Sequence, residues 1–316
     1  MYIPEYNCDL HTHSLRSDGN DTVKELIDLA CSIGMKVIAL TDHDVCPPKF
    51  IEVDGEQIEP GKYAISKGLV FIPGIEFSCE TYVDDVHIIG LGCDFESIAI
   101  KDIEQDMALS KADGYKKLVE VLKMDGYDIS WEDVTRFLGG IRNDNEVQRK
   151  HIFETMTLKG YTKSWNDAKR MVRDNPKYNI RRRKVEPAMA INVIQAAGGI
   201  SILAHPYLID EVINIDGVEM TRKEYIDSLI QFGLQGIEAA YTYDKTSYKG
   251  PFSKKEIEMA VRKEYQHQLP LISGGSDYHG DIKKGVNNPR LIGEAGISYE
   301  YLSTNRLLKG YISSID

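Results

Sequence analysis

Seven short apolar runs alternate with amphipathic helices along this chain, and six of them end on a histidine or a carboxylate. Those ends are His11, His43, Glu76, His205, Glu238 and Asp277; the seventh run, 86–91, carries His87 within it. Alternation of this kind builds β-α-β units, and a crossover helix returns the chain so that successive strands pair in parallel. In an α/β barrel the loops at the C-terminal ends of the strands form the active site. Eight histidines placed by chance would also fill helices and the opposite barrel end. Here only His267, near the end of a predicted helix, stands apart.

The helices carry clear start signals. Thr22-x-x-Glu25 is a capping box, followed by Val23, Leu26, Ile27 and Ala30 on one face and closed by Gly34. The segment 45–63 is less regular, and Pro47-Pro48 and Asp54-Gly55 predict turns and a small hairpin. From Glu96 to about Arg183 no strand is evident. Helices are predicted over 104–124, after Ser130, over 145–159 and from Ser164. A crossover needs far fewer residues. We read 96–188 as a helical subdomain inserted between two barrel strands and lying over the barrel mouth, with the barrel in 1–95 and 189–316. The fold class is α/β. The alternation resumes with helices opened by Pro187, Thr221 and Ser253 and strands at 200–203, 236–239 and 271–275.

Composition narrows the function. A net charge of −11 disfavours long nucleic acid and anionic membrane as partners, since phosphates are repelled at long range. A small phosphorylated ligand could still sit in a local basic patch. The five cysteines are scattered and odd in number, as expected in a reducing compartment. No apolar run is long enough to span a bilayer, and 1–5 lacks a basic-then-apolar leader, so the expectation is a cytoplasmic protein.

His11 and His13 are one residue apart, so on extended backbone their rings point the same way. With His43, His87, His151 and His279, and with Asp18, Glu76 and Asp277, they offer six imidazoles and three carboxylates. That exceeds one metal's needs and fits a cluster of two or three. The nitrogen and oxygen mixture suits Zn, Mn or Fe better than Ca or Mg, and the absence of thiolates argues against a structural zinc. Each residue also has a plainer role. His87 fits a strand interior, Glu76 an N-cap partner, and Asp18-Gly19 a turn. His151 must reach the barrel from the insertion. Arg149, two residues before it with Arg142 and Lys150 nearby, is suited to gripping a phosphate; the run Arg181–Lys184 reads as a solvated strip.

Together the pieces resemble the PHP (polymerase and histidinol phosphatase) family of phosphoesterases. The matching motifs are Asp9-Leu10-His11-Thr12-His13-Ser14, Ser17-Asp18-Gly19, Thr41-Asp42-His43-Asp44, Pro73-Gly74-Ile75-Glu76, Val86-His87-Ile88-Ile89-Gly90, Ala204-His205-Pro206 and Gly275-Ser276-Asp277-Tyr278-His279. The resemblance implies a distorted seven-stranded (β/α)7 barrel with a trinuclear centre holding Mn, Fe or Zn. One metal would take His11, His13, Glu76 and Asp277. A second would share Glu76 and add His87 and His151. A third would take Asp18, His43 and His279. His205 and Arg149 would face the phosphate. Two departures stand out. Tyr207-Leu208-Ile209 follows Ala-His-Pro where many relatives carry an arginine, and 45–63 is unlike the usual helix.

The inserted Arg149-x-His151 region is similar to a subgroup that hydrolyses nucleoside 3′,5′-bisphosphates, 5′-nucleotides or short 5′-phosphorylated RNA ends. The expected chemistry is hydrolysis of a phosphate monoester by in-line attack of a hydroxide shared by two metals. His205 or Asp42 would protonate the leaving alkoxide, and the sequence does not choose. The alternatives are histidinol-phosphate hydrolysis, a nuclease acting on short or long chains, an amidohydrolase, and a metal-dependent binding module without turnover. The acidic charge disfavours a processive nuclease, and no strand-end lysine is placed to bridge metals as in many amidohydrolases.

Overall fold

The computed structural model describes residues 2–79, 83, 85–136, 140, 143–215 and 217–312. The chain forms two compact units, Met1–Lys101 with Val185–Asp316, and Asp102–Lys184.

The first unit contains the strands β1 (Cys8–Asp9), β2 (Val37–Leu40), β3 (Ile51–Val53), β4 (Glu56–Ile58), β5 (Val70–Ser78), β6 (His87–Leu91), β7 (Ile200–Leu203), β8 (Val212–Ile215), β9 (Val218–Thr221), β10 (Gly236–Ala240) and β11 (Leu271–Gly274). Seven of these make one sheet in the order β1-β2-β5-β6-β7-β10-β11. Its two edges meet, because Leu10 N–H donates to Gly274 O at 3.2 Å and His13 N–H to Tyr278 O at 2.8 Å. The sheet is therefore nearly closed, as a barrel is. β3–β4 and β8–β9 are separate hairpins. The first is the turn-rich excursion expected in 45–63; the second was not expected, although Asp216-Gly217 is the same kind of hairpin signal as Asp54-Gly55.

One strand departs from the parallel pattern. β6 pairs antiparallel with both β5 and β7. The reason is covalent. Only 79–86 separates β5 from β6, too short a stretch for a crossover helix, so the chain can only turn back. β1 is also shorter than the run 6–10.

Alternation along the strands sorts the core into two clusters. Val37, Ala39, Val70, Ile72, Ile89 and Leu91 fill the barrel interior. Ile38, Leu40 and Phe71 face outward and pack with Val23, Leu26 and Ile27 of α1 (Val23–Ser32). The remaining helices of this unit are α2 (Pro60–Ser66), α7 (Pro187–Ala196), α8 (Arg222–Gln231), α9 (Lys254–Tyr265) and α10 (Tyr299–Thr304). Capping boxes close at Thr22, Thr221 and Ser253 as their spacing demands.

α3 (Ile98–Met124) carries the chain into the second unit, followed by α4 (Trp131–Thr135), α5 (Arg149–Leu158) and α6 (Trp165–Arg173). This unit has its own core, built on Leu118, Leu122, Val134, Ile152, Met156 and Val172. The helix predicted over 145–159 opens only at Arg149, because Val147 is extended, with φ −69° and ψ 130°. No helix among the described residues is long and apolar enough to cross a membrane.

Candidate metal centre

The strand ends of the first unit bring nine of the expected residues together, with Glu76 at their centre. Glu76 is fully buried and lies on the same face of β5 as Ile72, the face that fills the barrel interior. Its Oε2 is 3.2 Å from His11 Nε2, 3.3 Å from His13 Nε2 and 3.0 Å from His43 Nδ1. Its Oε1 is 2.9 Å from His87 Nδ1 and 3.2 Å from His205 Nε2. His87 opens β6, and because that strand is reversed its start lies beside the others' ends: His87 pairs with Ser78. Asp277 Oδ1 lies 3.0 Å from His13 Nε2 and 3.4 Å from His11 Nε2. Asp18 Oδ1 meets His279 Nε2 at 3.0 Å. Three sets of donor atoms converge within 4.8 Å: His11, His13 and Glu76; His43, Glu76 and His87; and His13, Asp18, His43 and His279. The second set holds His43 where the resemblance gave His151.

Several backbones are bent to achieve this. His205, Asp44 and Asp277 have φ of 32°, 53° and 53°, a region that residues with a Cβ seldom adopt. All three sit at strand ends beside the centre, where such strain typically collects.

The donors are aimed by partners behind them. Glu238 Oε1 lies 3.1 Å from His11 Nδ1, and with that proton donated to Glu238 the Nε2 lone pair faces His13 and Glu76. The other Glu238 oxygen accepts from His205 N–H at 2.8 Å. His279 Nδ1 donates to Asp277 O at 2.8 Å, which likewise leaves Nε2 for Asp18. On Asp277, Oδ2 accepts from Tyr241 Oη at 2.7 Å and is paired with Arg290. Glu238 was visible in the sequence as a strand-end carboxylate but had no assigned task. Arg290 lies in irregular chain, and no local pattern announces it.

The charge balance is that of a cation site. Burial would push the His11 imidazole down, but Glu76, Glu238 and Asp277 outweigh it and hold it well above its usual range. Burial would raise Glu76, yet His43, His11 and His87 keep it well below the carboxylate norm. His13 is raised to about 10, since the hydrogen bonds it donates to Asp277 and Glu76 overcome its burial. Even so, His13 Nδ1 and His205 Nδ1 are buried without a hydrogen-bond partner among the described residues. A cation with ligands at about 2.0–2.1 Å holds neighbouring donors roughly 2.9–3.4 Å apart, from octahedral to tetrahedral. His11 Nε2, His13 Nε2, Glu76 Oε2 and Asp277 Oδ1 lie 3.0–3.4 Å apart where measured. The residues fit divalent metal.

The other expected residues are placed as follows. Both Asp42 oxygens are taken: Ser14 N–H and Ser17 Oγ donate to Oδ1, and Ser14 Oγ to Oδ2. His151 and Arg149 belong to the second unit. His151 is buried at the start of α5, where Gln148 N–H donates to its Nδ1 at 3.0 Å. Arg149 is exposed, with its guanidinium 5.9 Å from the Phe153 ring. Arg142 lies outside the described residues. His267 is exposed beyond α9. The segment after Ala204-His205-Pro206, which has no arginine, packs against Arg222, whose guanidinium stacks 3.9 Å from the Tyr207 ring centroid and donates to Ile209 O at 2.9 Å.

Arg290→Ala should lower the melting temperature of the metal-free protein by roughly 2–6 °C, since Asp277 loses a buried counter-charge. Added Mn2+ should shrink the deficit by supplying positive charge at the same carboxylate. Thermal scans with and without the ion check this; an equal deficit in both would remove Arg290 from the centre.

A nearly closed α/β barrel whose strand ends gather imidazoles around a buried carboxylate has the architecture of a metal-dependent hydrolase. The PHP domain model matches residues 9–173, and the chain belongs to that family. It is a metal-dependent phosphoesterase of the PHP type. A relative from Haemophilus influenzae, 30% identical over 287 residues, is named 5′-3′ exoribonuclease; the match covers 88% of this chain and 93% of that one. One from Chromobacterium violaceum, 26% identical over 281 residues, is named 3′,5′-nucleoside bisphosphate phosphatase, with 88% and 89% covered. A solved structure from Bifidobacterium adolescentis, described as a metal-dependent phosphoesterase, shares the fold with a TM-score of 0.71 at 23% identity over 96% of both chains.

Proposed function

We propose that this protein hydrolyses phosphate monoesters of nucleotides, either a 5′-nucleotide or a nucleoside 3′,5′-bisphosphate, using two or three divalent ions of Mn, Fe or Zn. The observation that carries the reading is the aimed donor set: His11 is backed by Glu238, and its free nitrogen converges with His13, Glu76 and Asp277. The likeness to the bisphosphate phosphatase supports the substrate class.

In this reading His11, His13, Glu76 and Asp277 hold one ion, and Glu76 and His87 contribute to a second. His43, Asp18 and His279 hold the third. Bound divalent ions supply Lewis acidity and an activated water at neutral pH. His205 faces the phosphate and holds the proton for the departing alkoxide. Its ring is fixed by Glu76 and its backbone by Glu238. Asp42 is a poorer donor, because both its oxygens accept hydrogen bonds from Ser14 and Ser17.

The test is phosphate release from bisphosphates, mononucleotides, histidinol phosphate and short oligonucleotides, with Mn, Zn or Fe and again after chelation. Release from the small nucleotides that disappears on chelation and returns with metal is expected. A second reading, removal of 5′ nucleotides from short RNA, is favoured by the relative named exoribonuclease. Faster turnover of oligonucleotides than of mononucleotides would select it.

A further inference from the structure

Two aspartates outside the donor set accept the same pair of hydrogen bonds from a serine on the neighbouring strand end. Asp9 accepts Ser276 N–H on Oδ1 at 2.9 Å and Ser276 Oγ on Oδ2 at 2.5 Å. Asp42 accepts Ser14 N–H on Oδ1 at 2.8 Å and Ser14 Oγ on Oδ2 at 2.7 Å. A third aspartate, Asp44, takes Ser78 N–H at 2.9 Å. Each contact joins elements that carry candidate ligands. Asp9–Ser276 ties the strand of His11 to that of Asp277. Asp42–Ser14 ties His43 to His13. Asp44–Ser78 ties His43 to Glu76.

We propose that Asp9, Asp42 and Asp44 are positioning residues, a chain of aspartate–serine clamps that fixes the spacing of successive ligand pairs around the barrel end. The inference rests on the reading of His11, His13, His43, Glu76 and Asp277 as metal ligands. The physical argument is one of tolerance. Donors on separate strands bind one ion only if their backbones keep a spacing good to a few tenths of an ångström. Sheet hydrogen bonds fix that spacing within strands but thin out here: β1 stops at Asp9 and β2 at Leu40, and beyond them isolated bridges, Thr12 with Tyr278 and His43 with Glu76, carry on the pairing. A carboxylate that takes a backbone N–H and a hydroxyl together extends the pairing past the last strand residue, and it does so between strands. Asp42 thereby acts on the reaction through His13 and His43 and not as a proton donor.

Asp42→Asn and Asp42→Ala separate the two roles. Asparagine keeps an acceptor for Ser14 N–H and offers its amide to Ser14 Oγ, which can accept. It cannot donate a proton as an acid. Mn2+ binding to the metal-free protein is measured by titration calorimetry, and phosphate release across pH at saturating Mn2+. Asp42→Ala should weaken Mn2+ ten- to hundredfold, the usual effect of removing an outer partner. Asp42→Asn should recover most of that affinity and keep the alkaline limb of the pH profile. If the alanine variant does not fold, Ser14→Ala removes the hydroxyl alone and should weaken Mn2+ severalfold. Wild-type Mn2+ affinity in the alanine or Ser14→Ala variant overturns the clamps. So does an asparagine variant that binds Mn2+ normally but loses turnover and its alkaline limb. A wild-type protein that binds no Mn2+ overturns the ligand reading, and the clamps with it.

Discussion

Glu76→Gln is expected to reduce phosphate release at least about a thousandfold, or roughly 4 kcal/mol of transition-state stabilisation, while the barrel still folds. Glutamine keeps the volume and one acceptor oxygen, so the interior packing around Ile72 and Ile89 is undisturbed. It loses the charge that faces His11, His43 and His87 at once. Two of the three converging donor sets contain Glu76, so the loss is not confined to one ion. Metal content measured by mass spectrometry should fall in parallel, with the circular dichroism spectrum unchanged. Wild-type metal content and turnover in this variant would place the chemistry elsewhere.

Gly275→Ala should have the second-largest effect, for a steric reason. A Cβ at Gly275 would lie 2.2 Å from His11 Cβ and 2.6 Å from His11 N. Neither atom is the end of a flexible chain. Relief therefore requires β11 to move away from β1, which strains Leu10 N–H to Gly274 O and the Asp9–Ser276 pair. Overpacking of this kind costs about 1–3 kcal/mol. It also displaces His11 by more than a ligand bond tolerates, so Mn2+ affinity should fall further than stability predicts. Gly61 in α2 is the control, since nothing lies within 4 Å of its Cβ position. Gly61→Ala should leave both melting temperature and Mn2+ binding intact.

Helix starts are legible in the sequence because the physics that sets them is local. Thr22, Ser130, Thr221 and Ser253 each cap a helix because serine or threonine with an acid three residues on satisfies two orphan N–H groups within one turn. Strand ends were legible for the same reason, since an apolar run stops where a polar group must sit. Strand direction was not legible. It is set by what 79–86 is too short to do, and that length alone turned His87 from a strand interior into a ring member. Contacts between distant segments were also hidden. Asp277 and Arg290 meet across irregular chain, and Arg222 reaches Tyr207 from the start of α8. Asp42 illustrates a different gap. Its position beside His43 was plain, but whether its oxygens were free depended on Ser14 and Ser17, which only the folded loop brings to it.

The seam between β1 and β11 has a consequence for the order of assembly. Asp9 and Ser276 are 267 residues apart in sequence, yet their contact closes the sheet beside His11 and Asp277. Pairings at such separation form late, because the entropy of a long loop is lost before the contact returns anything. A ribosome-bound chain that has emitted His11 and His13 still lacks the strand end that packs against them. Completion of the donor set by Asp277 and His279 thus belongs to the last stage of folding.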